Sequence, residues 1–286
     1  MIPSRSRKTT NGFDLRIACL AQIRLQPEKT ANLIARTNVL GVGVSLINMG
    51  MALDQLSRWI ADREPQYVSV CTVHTVMECR RDEGLRRIVN SAGMTTPDGM
   101  PLVWLSRLAG HSYVSRVYGP DLMLAAMAAS IASGYKHFFY GGREGVADRL
   151  AGVMRARFPG VRIVGTSSPP LGSAQELCNA QTASMIDAAE PDIVWVGVST
   201  PKQELWMSCM RPLLKAPVLI GVGAAFDFHT GNQPQAPRWM QRAGLEWLFR
   251  LVHEPRRLWR RYLLDNPWFL FELARQRLGL KRYPLV

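Results

Sequence analysis

From residue 37 to residue 236, apolar β-branched runs alternate with amphipathic stretches at helical spacing, and this alternation leaves few architectures open. Strand-like runs fall at Thr37–Ile47, Tyr67–Thr72, Gly93–Thr95, Lys136–Tyr140, Val161–Gly165, Asp192–Val198 and Val218–Val222. Helical patterns separate them at Met51–Arg63, Glu83–Ser91, Asp121–Ser133, Gly145–Phe158, Ala174–Ala189 and Lys202–Leu214. Gly134 is placed to cap the end of the third of these helices. Strand–helix–strand units of this size predict parallel pairing through crossover helices. The fold class expected is α/β: a Rossmann-like, largely parallel sheet with helices on both faces.

Near Pro234–Pro237 the strands stop and a basic-aromatic helical pattern takes over, PRWMQRAGLEWLFRLVHEPRRLWRRYLLDNPWFLFELARQRLGLKRYP. Four of the eight tryptophans lie there (Trp239, Trp247, Trp259, Trp268), and from Gln241 onward ten Arg or Lys stand against four acids. Helices of this kind lie well on an anionic membrane surface. The expected organisation is a mostly flexible segment 1–36, an α/β catalytic domain 37–236 and a membrane-associating helical appendage 237–286. A net charge of +13 and a pI of about 10.1 favour anionic partners: nucleic acid, anionic lipid or phosphorylated substrates. No apolar run approaches the ~18 to 20 residues that span a bilayer. The opening MIPSRSRKTTNGF lacks the apolar core of a signal peptide. Cys19, Cys71, Cys79, Cys178 and Cys209 are scattered without a CxxC, which reads as reduced thiols, neither a disulfide framework nor a zinc site. These features together describe a cytoplasmic, peripheral membrane protein.

Four motifs carry chemistry. Gly141-Gly142-Arg143-Glu144-Gly145 follows a strand and opens a helix, so it reads either as a phosphate cradle or as a plain βα turn. Thr96-Pro97-Asp98-Gly99 is a common turn sequence, or it presents Asp98 as a general base at a strand end. In Gly197-Val198-Ser199-Thr200-Pro201-Lys202-Gln203-Glu204, Lys202 and Gln203 sit at a strand edge where α/β sheets bind ligands, or they serve in ordinary capping. Gly221-Val222-Gly223-Ala224-Ala225-Phe226-Asp227 places Asp227 to hold a ribose or base, or to cap a turn. The five histidines show no HxxxH or HExxH spacing, and neither a GxSxG elbow nor an Asp-x-Asp pair is present. No metal and no cofactor are expected, so cationic side chains and helix N-termini would hold a leaving diphosphate.

The ordered set TPDGMPLVW, RVYGPDLM, FFYGG, RFPGVRIVG, VWVGVSTPKQELW, GAAFDFHTG and APRWMQRAGLEWLFRLVHEPRRLWRRYL resembles the WecG/TagA/CpsF glycosyltransferases, glycosyltransferase family 26. The likeness runs from about Val39 to Phe269, and PKQE and GLEWLFRL…EPRRL are its specific parts. The resemblance implies an inverting, metal-independent transferase on the inner face of the plasma membrane. It would move a hexose-type sugar (N-acetylmannosamine, its uronic acid, or glucose) from a UDP donor to an undecaprenyl-diphosphate-linked saccharide in bacterial surface polysaccharide biosynthesis. By matching position, Asp98 is the general base, and Thr72 and Arg116 line its pocket. Gln203 lies beside the donor and Asp227 at the nucleotide. Lys202, with backbone N–H groups at Gly141 and Gly142, would meet the UDP. Arg250, Arg257 and Arg260 are implied at the lipid diphosphate. On a continuous helix these three arginines fall on one side, although Pro255 interrupts it. One departure stands out: Thr72-Val73-His74 replaces the family's common Thr-x-Asn.

The alternative readings are a basic nucleic-acid-binding protein, which lacks any recognition motif, and a membrane scaffold without catalysis. A dinucleotide-dependent oxidoreductase lacks its GxGxxG. The partners expected are therefore a UDP-sugar, a polyprenyl-diphosphate-linked saccharide and an anionic membrane, without nucleic acid. The aromatic tail is also suited to packing in a homo-oligomer.

Overall fold

The computed structural model describes residues 34–285. All but the last three residues of the segment 1–36, and Cys19 with them, lie outside the described residues.

The chain opens with an antiparallel hairpin of β1 (Arg36–Val39) and β2 (Val42–Ser45). A single strand was expected over Thr37–Ile47. Leu40 and Gly41 both adopt positive φ (51° and 88°), the combination that reverses a chain in two residues. The Asn38 side-chain oxygen accepts from Gly41 N at 2.8 Å and closes the turn. No Asn-Gly or Asp-Gly marks it in the sequence.

Six further strands form one all-parallel sheet: β3 (Gln66–Cys71), β4 (Met94–Pro97), β5 (Lys136–Gly141), β6 (Arg162–Ser167), β7 (Ile193–Gly197) and β8 (Val218–Gly221). Their spatial order is β4-β3-β8-β7-β5-β6. Alternate residues serve opposite faces. Val68, Val70, Phe139, Trp195 and Ile220 join one core with α1 (Met49–Ala61), α5 (Gly119–Ser133) and α6 (Val146–Arg157). Tyr67, Phe138, Tyr140, Val194, Val196 and Leu219 join another with α7 (Ala174–Leu177), α8 (Ala180–Ala188) and α9 (Lys202–Met210). Both faces are covered, as near-continuous apolar parallel strands require. The Rossmann-like α/β reading therefore holds. Gly134 caps α5 in the left-handed conformation.

Three local expectations need correction. The single helix read over Ala174–Ala189 is two, broken at Cys178, because Asn179 starts α8 afresh by accepting from Thr182 N at 2.8 Å. Cys178 is disulfide-bonded to Cys209 on α9, so these two are not free thiols; the fold brings together residues 31 apart in sequence. Cys71 and Cys79 are free and buried. Two helices at the eventual site were not read at all: α2 (Val73–Arg81) and α4 (Met100–Leu108). The helix α3 (Glu83–Ser91) stands as read.

After β8 come the short α10 (Ala225–His229) and then the tail: α11 (Arg238–Arg242), α12 (Glu246–His253), α13 (Pro255–Trp259), a π-helical turn Arg260–Leu264, and α14 (Asp265–Arg277). Phe269 and Tyr283 pack into a third core with the hairpin, α2, α3 and α4. Buried Glu272 accepts from Arg80 at 2.6 Å and from the Tyr283 hydroxyl. Asp265 pairs with Arg81, and Asn38 Nδ2 donates to Tyr283 O at 2.7 Å. Leu263, Leu264, Leu270 and Phe271 remain exposed. Among the described residues no helix is long and apolar enough to cross a membrane.

Gly141 ends β5 at φ 139°, and a Cβ there would lie 2.6 Å from the Gly197 backbone on β7. Gly145 also has positive φ but nothing within 4 Å of its Cβ position. Gly141→Ala should therefore lower stability in urea unfolding by more than the about 1–3 kcal/mol of backbone strain alone, and Gly145→Ala by less than Gly141→Ala.

Candidate active site

Because all six strands of the sheet are parallel, their C-terminal ends open on one edge, and ligands of open α/β sheets bind along that edge. Thr72 follows β3, Asp98 follows β4, Gly142 follows β5, Ser199 and Thr200 follow β7, and Gly223 follows β8. A cavity of about 850 Å³ lies here, roofed by the tail helices. Thr72, His74, Asp98, Arg116, Gln203 and Asp227 line it from the α/β side, and Glu246, Arg250, Arg257 and Arg261 from the tail.

Asp98 is fixed by its backbone, its N–H donating to Cys71 O at 3.0 Å. The residue is 7% exposed. Arg116 grips it twice, Nε donating to the Asp98 carbonyl at 2.5 Å and Nη2 to Oδ1 at 3.1 Å. No hydrogen bond from the described residues reaches Oδ2, so one carboxylate oxygen is held and the other is open to the cavity. Burial pushes the Asp98 carboxyl up to about 6; Arg116 opposes that rise and Glu246 adds to it. A carboxylate in this range is well matched to taking a proton near neutrality.

Arg116 is shared. The same Nη2 donates to Glu246 Oε2 at 2.6 Å, and the guanidinium lies over the Tyr118 ring, 3.8 Å from its centroid. The Tyr118 hydroxyl donates to Glu246 Oε1 at 3.0 Å and accepts from Gln235 at 3.2 Å. Burial alone would lower the Arg116 pKa, but Asp98 and Glu246 outweigh it and raise it, so the cation is permanent.

Thr72 caps α2 in a reciprocal capping box with Thr75. Gln203 is buried with its amide fully engaged. Its Oε1 accepts from Gly223 N at 3.0 Å, and its Nε2 donates to Thr200 Oγ1 at 3.3 Å and Glu204 Oε1 at 3.0 Å. It therefore joins the loops after β7 and β8. Lys202 does not reach the cavity: its ammonium donates to Gly172 O at 2.8 Å. Gly141 and Gly142 also stay off the cavity walls, and Gly142 N donates to Gly197 O at 3.0 Å. A neighbouring cavity of about 650 Å³ begins just beyond them, at Arg143, Val146 and Arg149. Asp227 and Arg250 line both cavities.

Arg250 and Arg261 each bury an Nε that has no hydrogen-bond partner among the described residues. Burial, then Arg250 and Arg257, press the Arg261 pKa down. Arg257 lies at the rim, paired with Glu254. Arg260 is exposed beside the Trp259 ring and does not line the cavity. His74 is held neutral, its pKa lowered to about 3 by burial and by Arg261, Arg81 and Arg250. His74, Glu78 and Asp265 offer ligand atoms within 4.8 Å of one another. Arg81 already bonds both carboxylates. Sequence reasoning missed Glu246, Tyr118 and Arg261. Glu246 was one acid in a basic run, and Arg261 adjoined the arginine that was named.

A sequence model of the Glycosyl transferase WecG/TagA/CpsF family matches residues 37–283. The chain belongs to this family. It is accordingly a glycosyltransferase. A Bacillus subtilis relative named N-acetylglucosaminyldiphosphoundecaprenol N-acetyl-beta-D-mannosaminyltransferase is 28% identical over 238 residues, 83% of this chain and 91% of that protein. A Bacillus spizizenii relative of the same name is 31% identical over 204 residues, 71% of this chain and 77% of that protein.

As the candidate base, Asp98 can take a proton only when ionised. The kcat/KM of this glycosyltransferase should therefore rise with pH through about 6 and level off above it, measured as initial rates across pH 4.5 to 8. Asp98→Asn should lower turnover by about 10²- to 10⁴-fold in a protein of unchanged melting temperature.

Proposed function

We propose that the chain transfers a hexose-type sugar from a UDP donor to a saccharide carried on undecaprenyl diphosphate, with inversion and without a metal ion. One observation carries this reading: a single cavity is lined both by a carboxylate with one unbonded oxygen and by arginines whose Nε has no partner among the described residues. The first suits a hydroxyl nucleophile and the second a diphosphate. The names of both Bacillus relatives supply the acceptor class, and they favour N-acetylmannosamine over its uronic acid or glucose as the sugar moved.

In a single displacement the acceptor hydroxyl oxygen bonds to the anomeric carbon while the bond from that carbon to the UDP oxygen breaks. The hydroxyl proton passes to Asp98 Oδ2, and UDP departs with the bonding pair. The donor nucleotide is assigned to the region around Asp227 and the neighbouring cavity. There Arg143, Arg149 and Arg250 supply positive charge to the leaving diphosphate. The acceptor diphosphate is assigned to Arg250, Arg257 and Arg261. The exposed Leu263, Leu264, Leu270 and Phe271 lie on these same tail helices, which supports an anionic membrane as the surface on which the tail rests.

The deciding experiment is a donor panel of UDP-N-acetylmannosamine, its uronic acid and UDP-glucose with short-chain lipid-diphosphate acceptors. Transfer from none of them would end this reading. Arg261→Gln should raise KM for the lipid-linked acceptor by about 10- to 100-fold, the worth of a hydrogen bond to a charged group. UDP affinity by calorimetry should stay unchanged. Arg260→Gln, outside the cavity, should change acceptor KM by less than Arg261→Gln.

A further inference from the structure

We propose that Glu246 is a positioning residue for the transfer step: it holds Arg116, and Arg116 orients Asp98. The proposal rests on Asp98 being the base. Glu246 is the first residue of α12, in the tail, yet both its oxygens are bound by the α/β domain. Oε2 accepts from Arg116 at 2.6 Å and Oε1 from the Tyr118 hydroxyl at 3.0 Å. Arg116 Nη2 carries two hydrogens, one directed to Asp98 Oδ1 and one to Glu246 Oε2. Arg116 Nε is already committed to the Asp98 carbonyl, so the guanidinium plane is fixed from two sides.

Tyr118 stacks beneath that plane and is itself tied to Gln235, which precedes the tail. Loss of Glu246 would leave the guanidinium facing a single carboxylate. Arg116 would then neutralise Asp98 more fully and could rotate toward its open oxygen. A shared guanidinium keeps Oδ1 occupied and Oδ2 available. The charged and titratable groups around Asp98 come from four directions. Arg116 and Tyr118 precede or begin α5, Glu246 and Arg250 belong to α12, Arg261 to the π-helical turn, and Cys71 to β3. Of these, Glu246 is the carboxylate that opposes ionisation of Asp98, while Arg116 and Arg250 favour it.

The test uses the full-length protein with UDP-sugar and lipid-linked acceptor. Glu246→Gln keeps the shape and removes the charge. Its acid limb in kcat/KM should move to lower pH by about 1 unit, the scale of one neighbouring charge. Its plateau kcat should fall by about three-fold or more, because a weaker base transfers less readily. UDP affinity should stay as in the wild type. Glu246→Asp keeps the charge but withdraws it by one methylene; its kcat should fall as well, and it stands alone as the test if the Gln variant does not fold. Wild-type kcat and an unmoved acid limb in the folded variants would overturn the proposal while leaving the role of Asp98 intact. Near-normal turnover of Asp98→Asn would remove the base reading and this inference with it.

Discussion

Parallel pairing is the constraint on which everything else depends. A parallel strand cannot return by a tight turn, so each pair of consecutive strands is separated by a helical crossover. Every strand of this sheet then points the same way, and their C-terminal ends lie on one edge. Residues far apart in sequence, Thr72, Asp98, Ser199 and Gly223, are gathered there without any of them being chosen for proximity. The edge is also where backbone groups leave the ladder and must find other partners. Gln203 meets that need by accepting from Gly223 N, and the Cys71 carbonyl meets it by accepting from Asp98 N. The polar character of the site is thus partly a by-product of ending a parallel sheet.

The tail divides its charges between two tasks. Three of its four acids face the α/β domain: Asp265 meets Arg81, Glu272 meets Arg80, and Glu246 meets Arg116. Burial pushes the Glu272 carboxyl up, but the Tyr283 hydroxyl and Arg80 prevail and hold it below the ordinary range. Of its cavity-lining arginines, Arg250 and Arg261 keep an Nε without a partner among the described residues. A segment that is basic by count is therefore fastened by its few carboxylates, and its positive charge remains available to an anion.

Much of this was legible in the sequence. Alternating apolar runs fixed the sheet and its covered faces, because strands buried on both sides leave little room for polar residues. Asp98 and Gln203 were legible because turn chemistry at a strand end exposes a few side chains to a crevice. The hairpin escaped because Leu40 adopts positive φ without the usual Asn or Gly signal, and Asn38 supports the turn from two residues upstream. The π-helical turn explains why Arg260 and Arg261 exchange places. Asp265 N donates to Arg260 O, five residues back, and the wider turn brings the fourth residue after Arg257, not the third, toward the cavity. Glu246 was invisible for a different reason: its partner is 130 positions away, and no local pattern encodes that pairing.

The hairpin and the chain's last turn are tied together, with Asn38 bonding Tyr283 across 245 positions. Contacts of such separation carry the largest loop-closure cost and form late. During synthesis the β1–β2 hairpin therefore cannot make this contact until Tyr283 has left the ribosome. The setting of the hairpin and of the third core thus depends on a segment synthesised some 245 residues later.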